Sequence, residues 1–418
     1  MQQQRPLRIG IEAQRLFRPH KHGMDIVALE LIKHLQQLDH ENEYFIFVKP
    51  DADRTVLAET PNFHIVEVAG GPYPFWEQVL LPRAARQARV QLLHCTSNTA
   101  PLRPGLPLML TLHDIIYLEP LNWRQGSWYQ RAGNLYRRWN VPRVVPNCAR
   151  ILTVSTFERA RIVEHLPGPP AQVQVVYNSA GEQFRPLPDG PELAAAKLRY
   201  GLPDRFIFFL ANTDPKKNLR GVLHALALLK QRGQLTYQLV MLDYEERALL
   251  ALLRELNAPE LRADILLCGY VPNQELPLIY NLAQAFLYPS LRESFGIPIL
   301  EAMACGTPVI TSNTSSMPEV AGGAALLVDP FQPETIAAAI LLLQNDPAEC
   351  ALLVARGLLR VQQFSWHETA RQVRRLYEQV AKATTPRQFP ELPLQARRRL
   401  ALDALPPIPP SPKPHVPS

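Results

Sequence analysis

Short apolar runs and stretches of helical periodicity alternate along most of this chain. The run Leu7–Ala13 reads as a strand, and a polar loop from Gln14 to Gly23 follows it. Met24–Leu38 then places Ile26, Leu29, Leu31, Ile32 and Leu35 at helical spacing. A strand, a glycine-bearing loop and a helix open a Rossmann-like unit. Strand-like runs return at Tyr44–Val48, His64–Val68, Leu92–Cys95, Leu108–Leu112, Ile151–Val154 and Val173–Val176, with helix-prone segments between several of them. This alternation predicts a parallel sheet with helices on both faces.

Proline and glycine cluster between Phe184 and Pro191, as in an interdomain linker, and the pattern then restarts. Strands are predicted at Phe206–Leu210, Tyr237–Leu242, Asp264–Cys268, Phe286–Tyr288, Val309–Thr311 and Ala325–Val328. Helices are predicted at Leu219–Gln231, Glu245–Leu256 and Leu276–Leu282. The expected architecture is α/β, with two Rossmann-like domains, 1–185 and 186–365, facing a cleft. Residues 384–418 hold ten prolines in 35 positions and little periodicity apart from Leu394–Leu405, which predicts an extended, disordered tail.

Composition adds exclusions. The chain has 418 residues, 47% of them hydrophobic and 20% charged, long enough for two or three cores without covalent staples. Cys95, Cys148, Cys268, Cys305 and Cys350 are scattered and contain no C-x-x-C pair. That argues against a secreted disulfide framework and the common zinc modules. Met1–Gly10 has no apolar stretch of signal-peptide type, and the longest apolar run, Ile336–Leu343, falls far below the roughly 20 residues that span a bilayer. A soluble, cytoplasmic chain is expected.

The net charge of +6 is unevenly placed: residues 1–185 carry 21 basic and 16 acidic side chains, residues 186–383 carry 18 and 20. Between Pro120 and Phe157 stand six arginines (Arg124, Arg131, Arg137, Arg138, Arg143, Arg150) and no acid, among Trp123, Trp128, Tyr129, Tyr136 and Trp139. Two readings stay open. Residues 120–157 suit peripheral contact with an anionic membrane or an acidic substrate such as a lipid pyrophosphate. They equally suit a helix with a solvated basic face and its aromatics in the core. Nucleic acid is not expected, because the whole-chain excess is small and no helix-turn-helix, RNP or zinc-finger pattern appears.

The most informative stretch runs from Pro289 to Pro308. Ser294 can cap a helix, Pro298 fits a first turn, and Gly306 with Pro308 ends it, which puts the helix start near Gly296. Free N–H groups near Gly296 would then favour an anion or sugar hydroxyls. Glu293 precedes this helix and Glu301 sits inside it, eight residues on, which at the rise of a helix would mean about 12 Å. That exceeds the about 5–5.5 Å of a retaining glycosidase pair and suits two carboxylates gripping opposite ends of an extended ligand.

Glu293-x7-Glu301, set in ESFGIPILEAMACGTPVI, resembles the signature of family 4 retaining glycosyltransferases of the GT-B fold. Tyr288-Pro289-Ser290, Pro318-Glu319-Val320 and Ala325–Pro330 resemble flanking blocks of that family. Pro215-Lys216-Lys217-Asn218 resembles its phosphate-binding loop, and His113-Asp114 its N-domain His-Asp pair. Thr153-Val154-Ser155 and Val175–Asn178 look like the strands that close that domain. The likeness covers roughly 7–382 and leans toward the mannosyltransferase-like branch. It implies a hexose moved from a nucleotide-sugar donor to a saccharide or lipid-linked acceptor, with no metal required.

By the same resemblance, Glu301 accepts the ribose hydroxyls and Glu293 a donor-sugar hydroxyl. Lys217 stabilises the leaving diphosphate, and His113 approaches the sugar from the N-domain side. Backbone N–H groups of Phe295, Gly296 and Ile297 meet sugar or phosphate, Lys216 supplements the charge, and Gly23 marks the N-domain loop. A final helix at 366–383 crosses back to the first domain. Two departures stand out: Ala211-Asn212-Thr213-Asp214 lacks the family's arginine at Asn212, and His20–Asp25 replaces its glycine-rich loop except at Gly23.

Weaker signals accompany these. Asp51-x-Asp53 matches the metal-binding D-x-D of a different glycosyltransferase fold but is only two residues deep. His20, His22 and Asp25 lack helical ligand spacing. G-x-S-x-G, P-loop and G-x-G-x-x-G motifs are absent from the sequence. The competing functions are a nucleotide-sugar epimerase on the same fold and a degenerate, non-catalytic scaffold.

Overall fold

The computed structural model describes residues 6–118, 128–210 and 214–383, with only the backbone described at 128–130. Trp123, Arg124, Asn212, the side chains of Trp128 and Tyr129 and the proline-rich 384–418 therefore lie outside the described residues.

Two wholly parallel sheets organise the chain. The first contains β1 (Arg8–Glu12), β2 (Glu43–Val48), β3 (Phe63–Glu67), β4 (Leu92–Cys95), β5 (Leu108–Thr111), β6 (Arg150–Thr153) and β7 (Val173–Val175), in the order β3-β2-β1-β4-β5-β6-β7. The second contains β8 (Phe206–Phe209), β9 (Gln238–Met241), β10 (Ile265–Leu267), β11 (Ala285–Tyr288), β12 (Val309–Ser312) and β13 (Leu326–Val328), in the order β10-β9-β8-β11-β12-β13. Strands such as Leu92–Cys95 and Phe206–Phe209 are buried at every position, as expected of strands covered on both faces.

Each order reverses direction once, between β1 and β4 in the first sheet and between β8 and β11 in the second. Open α/β sheets bind ligands at such reversals, beyond the carboxyl ends of the strands. The residues emerging there are Glu12 and Thr96 in one sheet, and Asp214–Lys217 and Pro289–Glu293 in the other.

The Trp366–Ala383 helix packs its buried face, including Ala370, Val373, Leu376 and Tyr377, into the core beneath β1, β2 and β4. Tyr377 Oη lies 2.7 Å from His94 Nδ1, and His94 Nε2 lies 2.8 Å from Thr111 Oγ1. Burial holds His94 down to about 3, so its ring is neutral inside the sheet.

The basic helix, Trp128–Val144, divides its aromatics between two environments. Tyr136 donates to Glu77 Oε1 (2.6 Å) inside a polar network, whereas Trp139 and Leu135 are 44% and 51% exposed. The expectation that aromatics in this segment enter the core fails at Trp139. It lies one turn from Leu135 on the same outward stripe, with Arg143 a further turn on.

Candidate functional site

The second sheet's reversal gathers the charged residues. Asn218 adopts a left-handed conformation (φ 63°), ending the turn Pro215–Lys217 and starting the Leu219–Gln231 helix. Its side chain donates to Pro289 O (3.1 Å) and Pro330 O (2.7 Å), and Leu291 N–H donates to Lys216 O (2.7 Å). These bonds fix the Lys216–Lys217 turn against the segment after β11.

Lys217 Nζ donates to Glu293 Oε1 (2.7 Å) and Tyr288 Oη (2.8 Å) and sits 4.6 Å from the Tyr288 ring centroid. Both partners of the ion pair are nearly buried, with side chains 13% and 11% exposed. Burial works to raise the Glu293 carboxyl, but Lys217 and then Lys216 outweigh it and leave it below the usual carboxylate value. Lys216 Nζ is 3.5 Å from Asp214 Oδ2. The phosphate-loop lysine and the signature carboxylate, assigned separately on the sequence, form one unit. Tyr288 was visible only as part of a flanking block.

The helix after Glu293 starts beside Gly296, as expected, but with a different cap. It spans Ile297–Ala304 with Gly296 as its cap in a left-handed conformation (φ 103°). A Cβ at Gly296 would lie 3.1 Å from Ile299 Cδ1, so both the backbone angle and the space favour glycine. Ser294 is not the cap. Its Oγ reaches toward Asp114 Oδ2 (3.4 Å), and its carbonyl accepts from Ser155 Oγ (2.8 Å). Glu293 precedes the helix, as read from the sequence, so the helical rise does not set its distance to Glu301.

Phe295 is 3% exposed and its ring packs against Phe364 and Tyr177, leaving its main chain as the polar part on offer. Ile297 opens the helix and packs on the same core. Glu301 accepts from Tyr280 Oη (3.1 Å). Burial pushes its carboxyl up to about 7, against the lowering effect of that hydrogen bond. Tyr280, on the Leu276–Leu282 helix, carried no sequence signal beyond its place in an amphipathic segment.

On the other sheet, His113 follows β5 and is 5% exposed. Its Nε2 lies 2.9 Å from Thr96 O and so must carry the proton, which leaves Nδ1 as an acceptor. Burial lowers its basicity more than the Thr96 bond and Asp114 restore it. The His113 N–H donates to Asn98 Oδ1 (2.6 Å). The His-Asp pair therefore meets the Glu293–Gly296 segment through Asp114 and Ser294. Gly23 begins the Gly23–Leu38 helix, with open space where its Cβ would point.

The weaker candidates have other work. Asp53 pairs with Lys21, and Asp51 accepts from the N–H of Ala52 (2.8 Å). Asp25 accepts from the His22 N–H (3.0 Å) at the helix start. His20 meets Tyr270 edge-on, ring centroids 6.0 Å apart. Among the described residues no three His, Cys, Asp or Glu side chains gather as metal ligands.

Comparison with known proteins identifies the family and the fold. Residues 22–180 match the family model "Glycosyltransferase Family 4", and residues 194–360 match "Glycosyl transferases group 1". The chain is 36% identical over 273 residues to the O-antigen chain mannosyltransferase B of Escherichia coli, covering 64% of this chain and 69% of that one. It is 31% identical over 223 residues to the serotype-specific mannosyltransferase WbdA of Escherichia coli, covering 53% of this chain and 27% of that protein. In fold it is similar to HepE of Anabaena, solved in complex with UDP-glucose, with a TM-score of 0.70 and 16% identity over 89% of this chain and all of that one.

Proposed function

Since the chain belongs to glycosyltransferase family 4, we propose that it transfers a hexose with retention of configuration from a nucleotide diphosphate donor to a saccharide or lipid-linked acceptor. GDP-mannose is the proposed donor, on the strength of relatives named as mannosyltransferases, with UDP-glucose and dTDP-rhamnose next. The observation that carries the reading is the Lys217–Glu293 pair at the strand reversal, just before a glycine-capped helix start.

In this reading Lys217 turns from Glu293 to the diphosphate, whose charge grows as the glycosidic bond breaks. Glu293, released, accepts a hydroxyl of the sugar. Lys216 and the N–H groups at Gly296 and Ile297 add positive field at the same end. Glu301, in its ionised form, accepts the ribose hydroxyls. His113 offers Nδ1 to a sugar hydroxyl from the opposite sheet. With charge supplied by lysines and a helix start, turnover needs no metal, and activity should survive EDTA.

The outward stripe of Leu135, Trp139 and Arg143 supports peripheral contact of the 120–157 segment with an anionic membrane, on the cytoplasmic side. Sedimentation with vesicles of neutral and of anionic lipid tests this. Equal retention on both would remove the charge argument.

The test of the reaction is a panel of nucleotide sugars screened by thermal shift, followed by NMR assignment of the anomeric product. A ligand at 100 times its Kd should add about 2.7 kcal/mol of stability. An inverted product would end the retaining assignment. Donor conversion without an acceptor would point to an epimerase, and no response to any donor would point to a scaffold.

A further inference from the structure

The two sheets meet beside Glu293 through a set of bonds that the proposed chemistry does not use. Glu319, on the Met317–Ala321 helix of the second sheet, accepts from the N–H groups of Thr156 (2.8 Å) and Phe157 (3.2 Å). These are the first two residues of the Thr156–His165 helix, which follows β6 of the first sheet. Glu319 also accepts from Tyr177 Oη (2.8 Å). Its own main chain is held by Arg360, whose guanidinium donates to Glu319 O (2.5 Å) and Val320 O (2.9 Å).

Neighbouring contacts reinforce the same seam. Ser155 Oγ caps its helix by accepting from Glu158 N–H (3.1 Å) and donates across to Ser294 O (2.8 Å). Arg292 Nη1 pairs with Glu158 Oε1 (2.5 Å), and the Arg292 guanidinium lies 4.6 Å from the Phe157 ring centroid. On the donor side, Ser315 Oγ accepts from Glu293 N–H (3.1 Å), and Ser316 Oγ donates to Glu293 O and Phe295 O (both 2.9 Å). The segment Ser315–Val320 therefore grips the main chain around Glu293 at one end and a helix of the first sheet at the other.

We propose that Glu319 is a positioning residue for sugar transfer: its carboxylate fastens the start of the Thr156–His165 helix to the donor-side segment and so sets where His113 and Asp114 stand relative to Glu293. The inference rests on the transfer reaction proposed above. The chemistry of the contact favours a carboxylate. Two main-chain N–H groups in the first turn of a helix carry partial positive charge and need acceptors, and one carboxylate satisfies both. A glutamine can turn its carbonyl to one N–H only and sets its amide against the other.

The residues assigned to the ribose and the diphosphate all belong to the second sheet, so most of the donor's binding does not pass through this fastening, whereas transfer, which also needs His113 from the first sheet, depends on it. In Glu319→Gln, turnover of GDP-mannose, to water or to a saccharide acceptor, should fall about tenfold, the equivalent of about 1.4 kcal/mol in the barrier. Donor Kd by calorimetry should change less than about twofold, because a loss confined to kcat marks an interaction needed after binding. Glu319→Asp, which keeps the charge on a shorter arm, should recover part of the rate. Small-angle scattering should show a larger radius of gyration for Glu319→Gln than for the parent chain.

Unchanged kcat in Glu319→Gln would overturn the proposal. So would donor affinity falling in step with kcat and with Tm, which would assign Glu319 to the fold alone. Should the parent chain turn over no nucleotide sugar, the transfer reading fails. The scattering comparison then still decides on the fastening, and an unchanged radius of gyration overturns it.

Discussion

The two strand reversals have the same architecture and opposite electrostatics. At the second, Glu293 carries its charge because Lys217 and Lys216 overcome the effect of burial. At the first, Glu12 is 1% exposed and accepts from the N–H groups of Gln14 (3.0 Å) and Thr96 (3.2 Å). Among the described residues no lysine or arginine stands at ion-pair distance from it. Burial pushes its carboxyl up to about 7, main-chain hydrogen bonds pull against this, and Glu77 adds to the rise. Glu77 is buried as well, accepting from Tyr73, Thr99, Tyr136 and Gln78. One reversal is thus equipped to meet an anion, and the other offers neutral or proton-sharing groups. In the proposed reading the diphosphate goes to the reversal that carries the lysines.

Removing the cation strikes at the difference most directly. Lys217→Ala takes away charge aimed at the leaving diphosphate, and kcat should fall by about a hundred- to a thousandfold. It also leaves Glu293 buried without its partner, which typically costs about 3–5 kcal/mol, so thermal unfolding should be recorded beside the kinetics. A folded Lys217→Ala with normal kcat would refute the phosphate assignment.

Glu301 supplies the next largest effect and a pH signature. Charge-assisted hydrogen bonds are worth roughly 1.5–3 kcal/mol, so Glu301→Gln should weaken donor binding about ten- to a hundredfold at pH 8. In the parent chain the carboxyl is protonated below about 7, so donor affinity should rise as pH increases through that value. Calorimetry across pH 6–8 checks both points. Equal affinity of the two proteins at pH 8 would remove Glu301 from the ribose.

The smallest effect concerns stability at the first reversal. The folded-state value of Glu12, about 7, lies above the ordinary glutamate value of 4.5. Below 4.5 both states hold the proton. Between the two values the unfolded chain releases it while the folded chain keeps it, so rising pH removes stability up to about 7. Glu12→Gln has no such proton. Its Tm relative to the parent should therefore be a few degrees more favourable at pH 8 than at pH 5. A pH-independent difference would show that Glu12 is ionised in the fold.

The strands were legible because parallel strands covered on both faces are written as continuous apolar runs. Leu92–Cys95 was read to the residue, and so were the helices Leu219–Gln231 and Leu276–Leu282. The helix start near Gly296 was legible, but its cap was misassigned to Ser294, which has good capping chemistry; a sequence does not reveal that its hydroxyl and carbonyl are engaged by Asp114 and Ser155. The charged residues of the site could be named, but not their partners. Lys217 and Glu293 are 76 positions apart, and Glu319 meets Thr156 across 163. Periodicity carries no information at that range.

The bond between His94 and Tyr377 joins positions 283 residues apart. A ribosome adds about 5–20 residues per second, so β4 exists for roughly 15–60 s before the tyrosine that completes its setting is made. Through that interval the first sheet holds a polar ring in its interior without its full set of partners, over a core not yet covered by Trp366–Ala383. The half of the molecule synthesised first is therefore among the last to be finished. A nascent chain stalled before residue 366 should engage chaperones and be cleaved by proteases within its first sheet more readily than within its second.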